Sequence, residues 1–249
     1  MRSADWQLRR AAAVAAVPLA AASVLAGCST TQQKAARLQL ENARLRAAQL
    51  STRVSAAGPT VSATGISLVR RQGRTAFVVT VRNRGGRPVS DLPISVGYRL
   101  GAGAAVYLNS AAGTGYFDAH LPLIGSDRAF RWIYTTARAI PADARPFARV
   151  GASSTVRVAG LTSPPAIAAA VKTGTAGGAI RVNVRNLSGV TQYQLPVYAV
   201  ASRGPRVLAV ATGTISELGG GSSKTLRLRL LGSAAGAHVD LETQPTIFQ

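Results

Sequence analysis

Hydrophobic and polar positions alternate with a period of two in several short runs of the chain. Phe77-Val78-Val79-Thr80-Val81-Arg82 is one such run, and Ile180-Arg181-Val182-Asn183-Val184-Arg185 is a cleaner one. Leu226-Arg227-Leu228-Arg229-Leu230 and His238-Val239-Asp240-Leu241-Glu242 repeat the pattern. A period of two sends successive side chains to opposite faces of a strand, one into a core and one into water. That is the signature of an antiparallel sheet with one wet face. Gly- and Ser-rich breaks separate the runs, for example Gly219-Gly220-Gly221-Ser222-Ser223. Gly101-Ala102-Gly103 and Gly113-Thr114-Gly115 fit hairpin turns better than phosphate loops. No strand-helix-strand rhythm appears, so the pattern predicts a mainly β protein.

The pattern also repeats. Val81-Arg82-Asn83 precedes Leu92-Pro93-Ile94, and Val184-Arg185-Asn186 precedes Leu195-Pro196-Val197 at the same distance, an offset of 103 residues. Phe77, Val79 and Val81 align with Ile180, Val182 and Val184. The duplication predicts two domains, 60–158 and 160–249. These residues resemble bacterial extracytoplasmic immunoglobulin-like domains of the FxLYD or CARDB type, and the second half resembles a tail module of actinobacterial surface proteins. The stretch Leu195-Pro196-Val197-Tyr198-Ala199 lacks the Asp of the FxLYD motif. The resemblance implies tandem antiparallel β-sandwiches used for display or contact, and no catalytic residues.

The first residues follow another logic. Arg2, Arg9 and Arg10 precede Ala11–Gly27, which holds no charge. A basic start, a short apolar run and small residues before a cut site describe a secretory signal. The run is short for a bilayer span of about 20 residues, and Pro18 interrupts it. Leu25-Ala26-Gly27-Cys28 resembles a bacterial lipobox, in which the thiol takes a diacylglyceryl group. Cys28 is the only cysteine of the chain. This predicts a signal peptide at 1–27, a lipid anchor at Cys28 and an extracytoplasmic location at the cell membrane.

Residues 28–58 then hold a stretch, Thr31 to Val54, free of Gly and Pro and rich in Ala, Leu, Gln and Arg. Leu40, Ala43, Ala47, Leu50 and Val54 fall at heptad-like spacing. The stretch predicts a helical stalk of roughly 35 Å. Pairing as a coiled coil and packing as a lone amphipathic helix both remain open.

Charge sharpens the picture. Lysine and arginine total 29 against 9 acids, a net +20, and only Lys34, Lys172 and Lys224 are lysines. Such a charge favours anionic surfaces. Outside the cytoplasm these are phospholipid headgroups and wall polymers, not nucleic acid. Arg181, Arg185, Arg227 and Arg229 alternate outward on two strands and form a candidate anion-binding face if those strands are neighbours. Compositional bias toward arginine is the competing explanation.

Catalytic and metal chemistry have few candidates. There are two histidines, His120 and His238, no G-x-S-x-G elbow and no Cys/His cluster. His238, Asp240 and Glu242 share one strand face, as do Asp118 and His120. A cation site and a solvated strand face are the two readings. Tyr193, Tyr198, Trp132 and Tyr134 are either a carbohydrate groove or core. The expected role is non-catalytic and without a cofactor: binding or scaffolding at the envelope. The alternatives are electrostatic binding of anionic polymer or lipid, and service as an accessory subunit of a membrane transporter or enzyme.

Overall fold

The computed structural model describes residues 31, 34–35, 37–38, 40–41, 53–54, 56–152, 165–173 and 178–247. The protein is mainly β. In the first half β1 (Val61–Arg71), β2 (Arg74–Asn83) and β6 (Ala129–Thr136) form an antiparallel sheet in the order β1-β2-β6. Opposite it, β3 (Val89–Arg99) pairs antiparallel with β4 (Val106–Tyr107), β5 (His120–Ile124) and β7 (Arg145–Val150). A single helical turn, α1 (Tyr116–Ala119), leads into β5.

The second half repeats this plan. β8 (Ile167–Thr173), β9 (Ala179–Asn186) and β12 (Ser223–Arg229) take the order β12-β9-β8. β10 (Gln192–Arg203) lies between β11 (Arg206–Leu218) and β14 (His238–Thr243), and β13 (Leu231–Gly232) edges β11. Each half is therefore β-sandwich-like. In the second, Ile180, Val182 and Val184 of one sheet meet Leu195, Val197 and Ile215 of the other in one apolar cluster.

The duplicated Asn sits at the same structural point in both halves. Asn83 is fully buried, and its Nδ2 donates to the carbonyls of Arg87 (2.8 Å), Gly125 (3.1 Å) and Ile124 (3.4 Å). Its Oδ1 accepts from Gly85 N at 2.9 Å. Asn186, also fully buried, donates to Val190 O (2.8 Å), Leu218 O (3.2 Å) and Gly219 O (3.2 Å), and accepts from Ser188 N at 3.0 Å. One side chain thus closes its own turn and ties it to the end of the strand beside it in the facing sheet. A buried amide is tolerated because its groups are satisfied. Asp91 and Gln194, again 103 apart, both adopt left-handed backbone, with φ of 51° and 53°. Such a conformation costs a non-glycine residue roughly 1–2 kcal/mol.

A second amide fills a gap in a ladder. β3 pairs with β5 up to Pro93 and with β4 from Gly97. Between them, Asn109 Oδ1 accepts from Val96 N (2.9 Å) and Nδ2 donates to Ile94 O (2.8 Å), replacing the missing strand.

The halves are not separate in packing. The cluster built from Phe77, Val79, Phe130 and Trp132 also includes Tyr198, Val200 and Val210 of the second half. Tyr198 meets Phe130 edge to face, with centroids 5.7 Å apart. Burial pushes the Tyr198 phenol far above its usual range. The stalk region falls largely outside the described residues. Those described at 31–41 are helical; Leu40 is buried, and the Arg37 guanidinium sits 5.7 Å from the Tyr193 ring centroid.

Asn186→Ala removes the donor from three carbonyls, of which Leu218 O is bonded in a buried setting and Val190 O and Gly219 O in part-buried ones. Stability is expected to fall by about 3 kcal/mol. Leu187→Ala, at an exposed neighbouring position, should stay within about 0.5 kcal/mol. Urea unfolding of the two variants checks this.

Candidate functional site

β9 and β12 are neighbours, and their register sets Arg227 directly opposite Arg181 and Ser223 opposite Arg185. Arg229 stands opposite Ala179, one outward position beyond the Arg181–Arg227 pair. All four arginines are exposed, because strict alternation sends Ile180, Val182, Val184 and Leu228 into the core. On the other side of β9, Ala168 and Ala170 of β8 lie across from Arg185 and Asn183, so small side chains border the arginines. Among the described residues none of the four has a carboxylate within ion-pair distance. Like charges directly opposite on a sheet repel. Guanidinium groups in such an array can chelate phosphate or carboxylate oxygens bidentately.

Leu25, Ala26, Gly27 and Cys28 lie outside the described residues. Among the described residues no helix is long and apolar enough to cross a membrane. No group of three His, Cys, Asp or Glu side chains among them is placed to hold a metal ion.

The His238–Asp240–Glu242 row has a different use from either sequence-based reading. Arg131 of β6 reaches across from the first half; its Nη2 lies 3.0 Å from Asp240 Oδ2 and its Nε 3.0 Å from Glu242 Oε1. Burial pulls the Arg131 guanidinium down, but its bonds to Glu242 and Asp240 outweigh that, and its pKa is raised. Burial lifts the Glu242 carboxyl above its usual range, and Arg131 opposes this without cancelling it. His238 is exposed and touches only Asp240 of this row, at 3.0 Å. Nothing near Arg131 in the sequence marks it as the partner of residues more than a hundred positions away.

Two further groups of candidates resolve into structure. Trp132 and Tyr198 are core residues, at 0% and 4% exposure, and do not line an open groove. Trp132 Nε1 donates to Phe117 O at 2.9 Å, and Tyr134 Oη donates to Leu108 O at 2.8 Å. His120 belongs to a polar knot at α1, and Asp118 is not among its contacts. The Tyr116 hydroxyl donates to Asp91, and the Tyr116 ring stacks on His120 with centroids 4.5 Å apart. His120 Nδ1 lies 3.3 Å from Tyr116 O. Burial raises the Asp118 carboxyl. Burial also lowers His120, against the opposing pull of Asp91 and the Tyr116 carbonyl. Sequence spacing sets Asp118 beside His120; it does not show Tyr116 and Asp91 closing around His120.

In comparisons with known proteins, no family model and no curated protein sequence matches the chain.

His120 generates a pH dependence. Its folded pKa is depressed, so the folded state holds it neutral while the unfolded chain takes up a proton below about pH 6.5. Its contribution to stability is therefore present above that pH and lost on acidification. The raised Asp118 and Glu242 act in the opposite sense, from about pH 4 upward. Between pH 7.5 and 5.5 the native chain should lose more stability than His120→Gln. Urea midpoints of both proteins at the two pH values measure the difference.

Proposed function

We propose that this is an exported, lipid-anchored, non-catalytic binding protein of the cell envelope. A signal peptide is removed before Cys28, the thiol bears a diacylglyceryl group, and a helical stalk joins the anchor to two tandem immunoglobulin-like β-sandwiches. The observation that supports a non-catalytic role is where the buried polarity goes. Asn83, Asn109, Asn186 and Gln192 are all fully buried, and each bonds to main chain. Gln192 Oε1 accepts from Thr246 N at 2.8 Å and Ile247 N at 3.2 Å, fastening the C-terminal segment to β10. These groups hold turns, ladders and tails, and the Ser188 hydroxyl that donates to Asn186 Oδ1 at 2.7 Å belongs to the same turn.

The arginine ladder favours a more specific version, in which the β9–β12 face binds an anionic polymer or lipid surface of the envelope. Among the described residues Arg181 and Arg227 face each other without a carboxylate partner. A polyanion laid across the face would turn that repulsion into attraction. Two acyl chains hold a protein firmly on a membrane, so even a weak electrostatic contact would act at high local concentration.

Cys28→Ser should move the protein from the detergent phase to the aqueous phase on cell fractionation. Replacing Arg181, Arg185, Arg227 and Arg229 with Gln should weaken binding of the soluble body to phosphatidylglycerol vesicles by roughly a thousandfold, at about 1 kcal/mol per arginine. Vesicle sedimentation at low salt reads this. Undiminished binding by the quadruple variant would remove the face from the reading. Cys28→Ser remaining membrane-bound would remove the anchor.

A further inference from the structure

The seam between the halves leaves a groove of about 640 Å³. One wall is Ser67 to Arg71 of β1, and the other is Pro205 to Leu208 at the start of β11. Gly232 and Ser233, at and after β13, complete it. β1 is an edge strand that pairs with β2 alone, and β13 is an edge that pairs with two residues of β11. Two strand edges therefore border one cleft, and an edge offers a row of N–H and C=O groups to an incoming strand. Ser67 to Arg71 supply about 16 Å of such an edge.

The wall opposite β1 depends on a close approach. Gly232 has φ of 109°, and a Cβ there would fall 2.3 Å from Leu208 O. Only glycine lets β13 lie this near β11.

The chemistry of the groove is one-sided. Arg70, Arg71 and Arg206 line it and are exposed, whereas no carboxylate among the described residues does. Among the described residues none of the three is in an ion pair; Arg70 makes one long hydrogen bond to Pro141 O at 3.5 Å. Half-buried Leu68 and Val207 add apolar surface between the charges. Guanidinium groups above an apolar strip and beside a free strand edge suit an extended chain that alternates acidic and apolar residues. An anionic sugar or phosphate polymer would use the arginines but not the edge.

We propose that the seam groove binds an extended acidic peptide segment of a partner protein, which adds to the edge of β1 while its carboxylates pair with Arg70, Arg71 and Arg206. This is the strand-addition mode of recognition: main-chain bonds supply affinity, and alternate side chains supply specificity. The site is separate from the β9–β12 arginine face and stands or falls independently of it.

The test uses a capped decapeptide of alternating Glu and Val, its Lys-Val counterpart, and inorganic polyphosphate. The Glu-Val peptide should bind the full soluble body and the Lys-Val peptide should not. Arg71→Glu with Arg206→Glu should weaken binding at least tenfold, with circular dichroism unchanged because both positions are exposed. The milder Arg71→Gln with Arg206→Gln pair should weaken it less. Saturating peptide should slow amide hydrogen exchange across Ser67–Arg71 at least tenfold. Three results would each overturn the proposal: binding unaffected by the arginine changes, binding without protection of Ser67–Arg71, or binding of polyphosphate at these arginines with none of the Glu-Val peptide.

Discussion

The two-sided burial of β10 is the constraint on which the rest of the molecule depends. Leu195, Val197, Ala199 and Ala201 point into the clusters of the second half, while Tyr198 and Val200 join the cluster of the first. A strand with water on one side would alternate apolar with polar; this one is apolar without a break from Leu195 to Ala201. Each fully buried aliphatic or aromatic side chain contributes roughly 1.5–3 kcal/mol, so the second face of β10 is a substantial contact. The Arg131 clasp lies on the same sheet, because Tyr198 pairs with Glu242 and Val200 with Asp240 in the register of β10 with β14. Apolar contact brings the faces together, and the half-buried ion pairs fix how β6 sits against β14. Ion pairs of that kind add orientation more than net stability.

Much of the framework is legible in the sequence, for identifiable reasons. Alternation from Ile180 to Arg185 and from Leu226 to Arg229 marks strands with one wet face, and both are strands. The repeated Val-Arg-Asn is visible as a motif. What the Asn does is not, because its partners Ile124 and Leu218 are more than thirty residues away. The left-handed Asp91 and Gln194 share the 103-residue offset but are different residue types, so the repeat hides them. The unbroken Leu-Pro-Val-Tyr-Ala-Val-Ala run does bear the mark of a strand buried on both faces, but that the first half covers its second face is seen only in the structure. The partnership of Arg131 with Asp240 and Glu242 has no such mark. A period-two strand face looks the same to the sequence whether it meets water or another sheet.

The arginines sort by what surrounds them. Arg131 is half-buried and doubly paired, and its charge is satisfied within the fold. Arg181, Arg185, Arg227 and Arg229 on the β9–β12 sheet, and Arg70, Arg71 and Arg206 at the seam, are exposed with no carboxylate beside them among the described residues. With 29 basic against 9 acidic side chains, internal pairing cannot absorb the excess. Among the described residues Arg37 and Arg131 are ion-paired; the guanidinium groups on the β9–β12 face and along the seam cleft are among those left to solvent.

The halves share a core through β10 and should therefore unfold together. Native-state hydrogen exchange across a urea series, read separately for β2 with β6 and for β9 with β12, tests it most directly. A shared core predicts that the slowest amides in both sheets open with the same free energy and the same dependence on urea. If β9 and β12 lose protection at a lower urea concentration while β2 and β6 keep theirs, the halves are energetically independent, and the seam is a contact between two domains that fold alone.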